Sequence, residues 1–141
     1  MNVNYVIKKE LLNDQIRKLH RRGGKYQLAA NKINSIIGAI NMGQNDPFKG
    51  YNVTNHGESR IEHCVKYDLN GFCRLITIKD NNLCAVVFAG DHKDCDKWLN
   101  ANKGYTLTIG KNSDIIGLRV SDDVSKKEDK TVVNSVITDG N

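Results

Sequence analysis

Gly71-Phe72-Cys73-Arg74-Leu75-Ile76-Thr77-Ile78, Lys79-Asp80-Asn81-Asn82, Leu83-Cys84-Ala85-Val86-Val87-Phe88-Ala89 and Gly90-Asp91-His92-Lys93-Asp94 follow one another without a break. The first and third pieces read as strands, and the polar residues between them as a tight turn. Asn70-Gly71 just upstream is the strongest short hairpin signal in the chain, so another strand is expected from Arg60 to about Tyr67. The unbroken apolar run Leu83–Ala89 predicts a central strand buried on both faces. Asp91 then reads as a helix N-cap with Asp94 at the third helical position. Cys95, Trp98 and Leu99 form the helix's apolar face, and Gly104 closes it. An arginine therefore sits near one strand's start and a histidine beyond the other's end, at the margin of a sheet.

Upstream of this meander, Val3 to Ile7 alternates weakly as a first strand. Leu12, Ile16 and Leu19 recur on one helical face from Lys9 onward. Gly23-Gly24 interrupts that helix, and a second resumes near Lys25 with Leu28, Ala29, Ile33, Ile36, Ile37 and Ile40 as its apolar stripe. Gly43 and Asp46-Pro47 end it. Residues 48–59, including His56-Gly57-Glu58, read as a polar loop. Tyr105–Ile109 alternates as a last strand, and beyond about Asn112 the pattern decays. The reading is one α+β domain over 1–110, in the order β-α-α-β-β-β-α, with 111–141 as a poorly patterned tail or linker. The N-terminal strand and helical hairpin are expected to pack on a small, curved, mainly antiparallel sheet.

A two-residue turn at Asn70-Gly71 would set Leu69 against Phe72, Tyr67 against Arg74, Val65 against Ile76 and His63 against Ile78. His63 would then be a hydrogen-bonded core histidine, and Arg60, Cys64, Lys66 and Asp68 would face the other way. A slip by one residue or a bulge at Gly71–Cys73 would reverse the returning strand's faces, so the direction of Arg74 stays open.

Composition limits the function classes. The 141 residues carry a net charge of +5, and no run approaches the ~18 apolar residues of a membrane span. Residues 1–50 hold nine Lys/Arg against three Asp/Glu, residues 51–100 six against seven, and 101–141 six against six. The basic excess thus lies in the N-terminal third, with Arg17, Lys18, Arg21, Arg22 and Lys25 prominent. Such a one-sided surface suits a phosphate backbone. Cys64, Cys73, Cys84 and Cys95 lie 9, 11 and 11 residues apart. That spacing makes neither a metal pair nor a disulfide frame, so they read as core fillers in a reducing cytoplasm. No metal or other cofactor is expected.

The order strand, helical hairpin, three-stranded meander resembles the RelE/ParE superfamily of bacterial toxins. Gly71-Phe72-Cys73-Arg74-Leu75-Ile76 is similar to that family's Gly-Tyr-Arg-Leu-Val segment with one residue inserted. Gly90-Asp91-His92-Lys93-Asp94 is similar to the family's ending after the next strand, and Arg60-Ile61 to its upstream Tyr-Arg-Ile element. The resemblance covers roughly residues 3–100. It implies metal-independent cleavage of mRNA, on the ribosome in some members, with the 2′-OH attacking its own phosphate, and restraint by an antitoxin protein. Arg74 would be the transition-state cation, since guanidinium grips phosphate oxygens bidentately. His92 would be the acid or base, and Lys66 a base if its neighbours depressed its pKa. Arg60 and Lys66 would hold the backbone on the open face, with Lys93 a further nucleic-acid contact.

Beyond that inserted residue, the sequence departs from the family toward its C-terminal side. RNA-cleaving members often end in a helix with a tyrosine near the site, where Cys95 or Trp98 stands here. The Lys97–Gly104 segment looks more like toxin-like domains at the start of helicase-type proteins. Two other readings therefore stand beside the nuclease: a non-catalytic nucleic-acid- or protein-binding module, and a gyrase inhibitor of the ParE kind.

Overall fold

A computed structural model describes residues 3–54, 58–109 and 115–120. The chain is α+β, with β1 (Asn4–Ile7), α1 (Lys9–Arg22), α2 (Gly24–Asn41), β2 (Cys64–Asp68), β3 (Cys73–Asp80), β4 (Leu83–Asp91) and α3 (His92–Ala101) in sequence order. These are followed by β5 (Tyr105–Ile109) and β6 (Ile115–Val120). The main sheet runs β1-β4-β3-β2, and β5 pairs antiparallel with β6 in a separate two-stranded sheet. β6 falls in the stretch expected to lack pattern. His56 and Gly57, and residues 111–114 and 121–141 of the expected tail, lie outside the described residues.

β4 is internal, parallel to β1 on one side and antiparallel to β3 on the other. Cys84 through Gly90 are all buried, as the apolar run predicts. The helical hairpin covers one face: Leu12, Ile16, Leu19, Ala29, Ala30, Ile33 and Ile36 pack with Tyr67, Leu69, Cys73, Leu75, Cys84, Val86 and Ala89. Ala30 takes the place expected of Leu28, which is 58% exposed. α3 covers the opposite face, where Cys95 and Leu99 meet Ile61, Ile76, Ile78, Ala85, Val87 and Phe88. Trp98 stacks on Phe88 with ring centroids 5.4 Å apart. The sheet thus has two cores, and the face opposite the hairpin is only partly open.

The β2–β3 turn decides which residues reach that open part. Asp68 pairs with Arg74, Tyr67 with Leu75, Lys66 with Ile76, Val65 with Thr77 and Cys64 with Ile78. The Leu69 N–H bonds the Cys73 carbonyl at 3.0 Å, so the turn is Asn70-Gly71-Phe72 and the register is one residue off the two-residue expectation. Asn70 causes the extension. Its Oδ1 accepts from the N–H groups of Phe72 and Cys73 at 3.1 and 3.0 Å, and its Nδ2 donates to the Lys25 carbonyl at 2.8 Å. Gly71 supplies the left-handed residue, with φ 87°. The shift puts Cys73 and Leu75 under the hairpin and turns Arg74 and Ile76 to the α3 side. His63 is corrected as well: it precedes β2, has φ 66° and is exposed, so it is no core histidine.

Candidate nucleic-acid interface

α3 starts directly where β4 ends. Asp91 caps it, accepting from the Asp94 N–H at 2.8 Å. Gly90 packs closely against this first turn, where a Cβ would lie 3.0 Å from Asp94 Cβ. The other oxygen of Asp91 accepts from Arg22 Nη1 at 3.0 Å, which ties the last turn of α1 to the start of α3. The Arg22 guanidinium also lies over the Tyr26 ring, 3.5 Å from its centroid. Lys25 Nζ stands 3.6 Å from the ring centroid of Phe72, a residue 48% exposed at the β2–β3 turn. Cys73 is the register partner of Asp91, and Arg74 that of Gly90. The hairpin bend, the β2–β3 turn and the start of α3 therefore meet at one end of the molecule. They gather Arg22, Lys25, Arg74, His92 and Lys93, and Arg21 adds its charge from the last turn of α1.

Not every cation there is available to a ligand. Arg74 Nη1 donates to Asp68 Oδ1 at 2.9 Å and to the Cys73 carbonyl at 3.3 Å, and its side chain is only 17% exposed. Arg22 shares Asp91. By contrast His92 and Lys93 are exposed and carry no side-chain hydrogen bond or ion pair among the described residues. An imidazole without an orienting partner is poorly placed for acid–base work. Arg17 and Lys18 lie farther along the exposed side of α1 and both contact Asp14, at 3.0 and 3.4 Å.

Arg60 and Lys66 form a second cluster, organised by an acid that the sequence reading assigned to a loop. The Glu58 side chain is 5% exposed, and its carboxylate accepts from Arg60 Nε at 2.6 Å, Arg60 Nη2 at 2.8 Å, the Arg60 N–H at 2.9 Å and Lys66 Nζ at 3.2 Å. Those bonds, from the Arg60 side chain first, hold the Glu58 carboxyl down at about 2 against the opposing effect of burial. Arg60 also reaches α3, contacting Asp96 Oδ1 at 3.3 Å and Asn100 Oδ1 at 3.1 Å. Its expected strand position is corrected: Arg60 and Ile61 precede β2, with the Arg60 carbonyl accepting from the Gly104 N–H at 2.8 Å. Lys66 thus shares the Glu58 carboxylate with Arg60. Glu58 left no sequence signal beyond its acidity, because its partners lie two and eight residues away across a chain reversal.

The four cysteines are free thiols. Burial pushes Cys64 and Cys95 up to about 12, and Cys73 and Cys84 up to about 11, as expected of core fillers. No group of His, Cys, Asp and Glu able to hold a metal occurs among the described residues. No helix among them is long and apolar enough to cross a membrane. No family model, no curated protein and no solved structure matches this chain.

Proposed function

We propose that this chain is an RNA-binding domain of RelE/ParE type, acting in the cytoplasm on single-stranded RNA. One observation carries the reading: cations and rings interleave at the end where three elements meet. Lys25 lies over the exposed Phe72, and Arg22 over Tyr26, while Arg21, His92 and Lys93 border them from α1 and α3. Base stacking on aromatic side chains beside a basic track is how single strands are bound without a strict sequence code. Arg17 and Lys18 extend that track along α1 as weaker, sequence-independent phosphate contacts.

Binding is favoured over cleavage because Arg74 and Lys66 each already face a carboxylate. A phosphate in flight would have to displace Asp68 and Glu58 before either cation could stabilise it. The nuclease toxin, restrained by an antitoxin protein, stands as the second reading. It is favoured by the register that sets Arg74 opposite Gly90, two residues before His92.

The test is fluorescence anisotropy with a labelled single-stranded RNA of mixed sequence, at several salt concentrations between about 50 and 200 mM, followed by gel analysis of the same RNA. Intact RNA, bound with an affinity that falls steeply with salt and weakens in Phe72→Ala, is the expected result. Absence of binding at low salt overturns the proposal. RNA cut by the wild type and left whole by Arg74→Ala or His92→Ala establishes the second reading instead.

A further inference from the structure

Glu58 occupies a ready-made oxyanion site. Its carboxylate is surrounded by a guanidinium edge, an ammonium and a backbone N–H, a donor set that also matches a phosphate. Both cations have anchors besides Glu58. The β2–β3 pairing fixes the Lys66 backbone, and Arg60 is fastened to α3 through Asp96 and Asn100 as well as to Glu58. Glu58 and Arg60 both come from the long connection between α2 and β2, which meets β2 near Val53, where the Thr54 N–H bonds the Lys66 carbonyl at 2.9 Å. If the acid left, the Lys66 backbone would keep its strand pairing and Arg60 its contacts to α3. Arg74 and its partner Asp68 lie next on the same side of β2 and β3.

We propose that Arg60 and Lys66 form a phosphate-binding site that the chain closes with its own Glu58 carboxylate, and that a phosphate of bound RNA takes the carboxylate's place. The inference rests on the RNA-binding reading for its ligand but not for its chemistry. The carboxylate competes with the backbone phosphate, so Glu58 sets a threshold that RNA must overcome to engage this second cluster. Weakening the competitor raises the fraction of molecules in the open form and tightens binding in proportion.

The experiment compares the wild-type chain, Glu58→Ala and Glu58→Ala/Lys66→Met by thermal unfolding, in inorganic phosphate and in chloride of matched ionic strength. Glu58→Ala should gain roughly 5 °C more from phosphate than the wild type does, once phosphate is about tenfold above its dissociation constant. The double variant should lose that extra gain. If Glu58→Ala fails to fold, Glu58→Gln takes its place, as a neutral group of the same shape and a weaker competitor. In the RNA arm the variant should bind the single strand more tightly than wild type, with a salt slope steeper by about 0.7 for each phosphate newly held. A phosphate gain no larger in the variant than in the wild type, or one that persists without Lys66, overturns the proposal. A phosphate gain in a chain that binds no RNA would leave the site standing and remove only the RNA reading.

Discussion

Replacing Glu58 with Gln should destabilise the fold by an amount that depends on pH in a defined window. The folded-state carboxyl is held at about 2 against an ordinary value of 4.5, first by the Arg60 side chain and further by the Arg60 N–H and Lys66. At ~1.4 kcal/mol for each tenfold change in proton affinity, that depression corresponds to about 3 kcal/mol. Solvent reaches Arg60 and Asp96, so screening trims the expected loss in the Gln variant to about 2 kcal/mol at pH 7. Because the folded pKa lies below the unfolded one, this contribution is fully present above about 4.5 and is lost as pH falls from there toward about 2. The Gln variant cannot titrate. Urea unfolding of both proteins between pH 7 and pH 2.5 should therefore show a gap of about 2 kcal/mol that narrows steadily below about pH 4.5. Asp91 and Asp14 also have lowered values, through the Asp94 N–H and Arg22 for the first and Lys18 for the second, but they titrate alike in both proteins and cancel in the difference. A gap that is absent at pH 7, or that stays constant down to pH 2.5, would refute the view that Glu58 is a charged clamp.

Truncating Phe72 to Ala should weaken RNA binding by about 1–3 kcal/mol in anisotropy titrations, with little effect on stability because the ring is exposed. Lys93→Ala should instead lower the salt slope by about 0.7 per phosphate contact and weaken all RNA sequences alike. Asp91→Ala removes both the α3 cap and the bridge to Arg22, and should cost about 1–2 kcal/mol in chemical unfolding. The thiols of Cys73, Cys84 and Cys95, buried and raised to about 11 or 12, should react slowly with a thiol reagent at pH 7.5 and promptly once the chain is unfolded in urea. Fast labelling of the native protein would contradict their place in the core.

The order and kind of the elements could be read from the chain because the signals are local. A short unbroken apolar run bounded by turn residues marks a buried strand, paired glycines stop a helix, and Asp91 three residues before Asp94 caps one. The sequence by itself thus determined the α+β order, the buried central strand and the collection of basic residues on the first helix. Only the tertiary structure decided which charges remain open to a ligand. The turn register depends on Asn70 reaching the Lys25 carbonyl, a contact between distant parts of the chain, and that register gave Arg74 to Asp68. The same holds for Glu58, whose acidity is visible in the sequence but whose partners are set by how the loop folds back against β2 and α3. Charge is a property of the residue, whereas its availability is a property of what lies within about 3 Å of it, and no one-dimensional pattern encodes that neighbourhood.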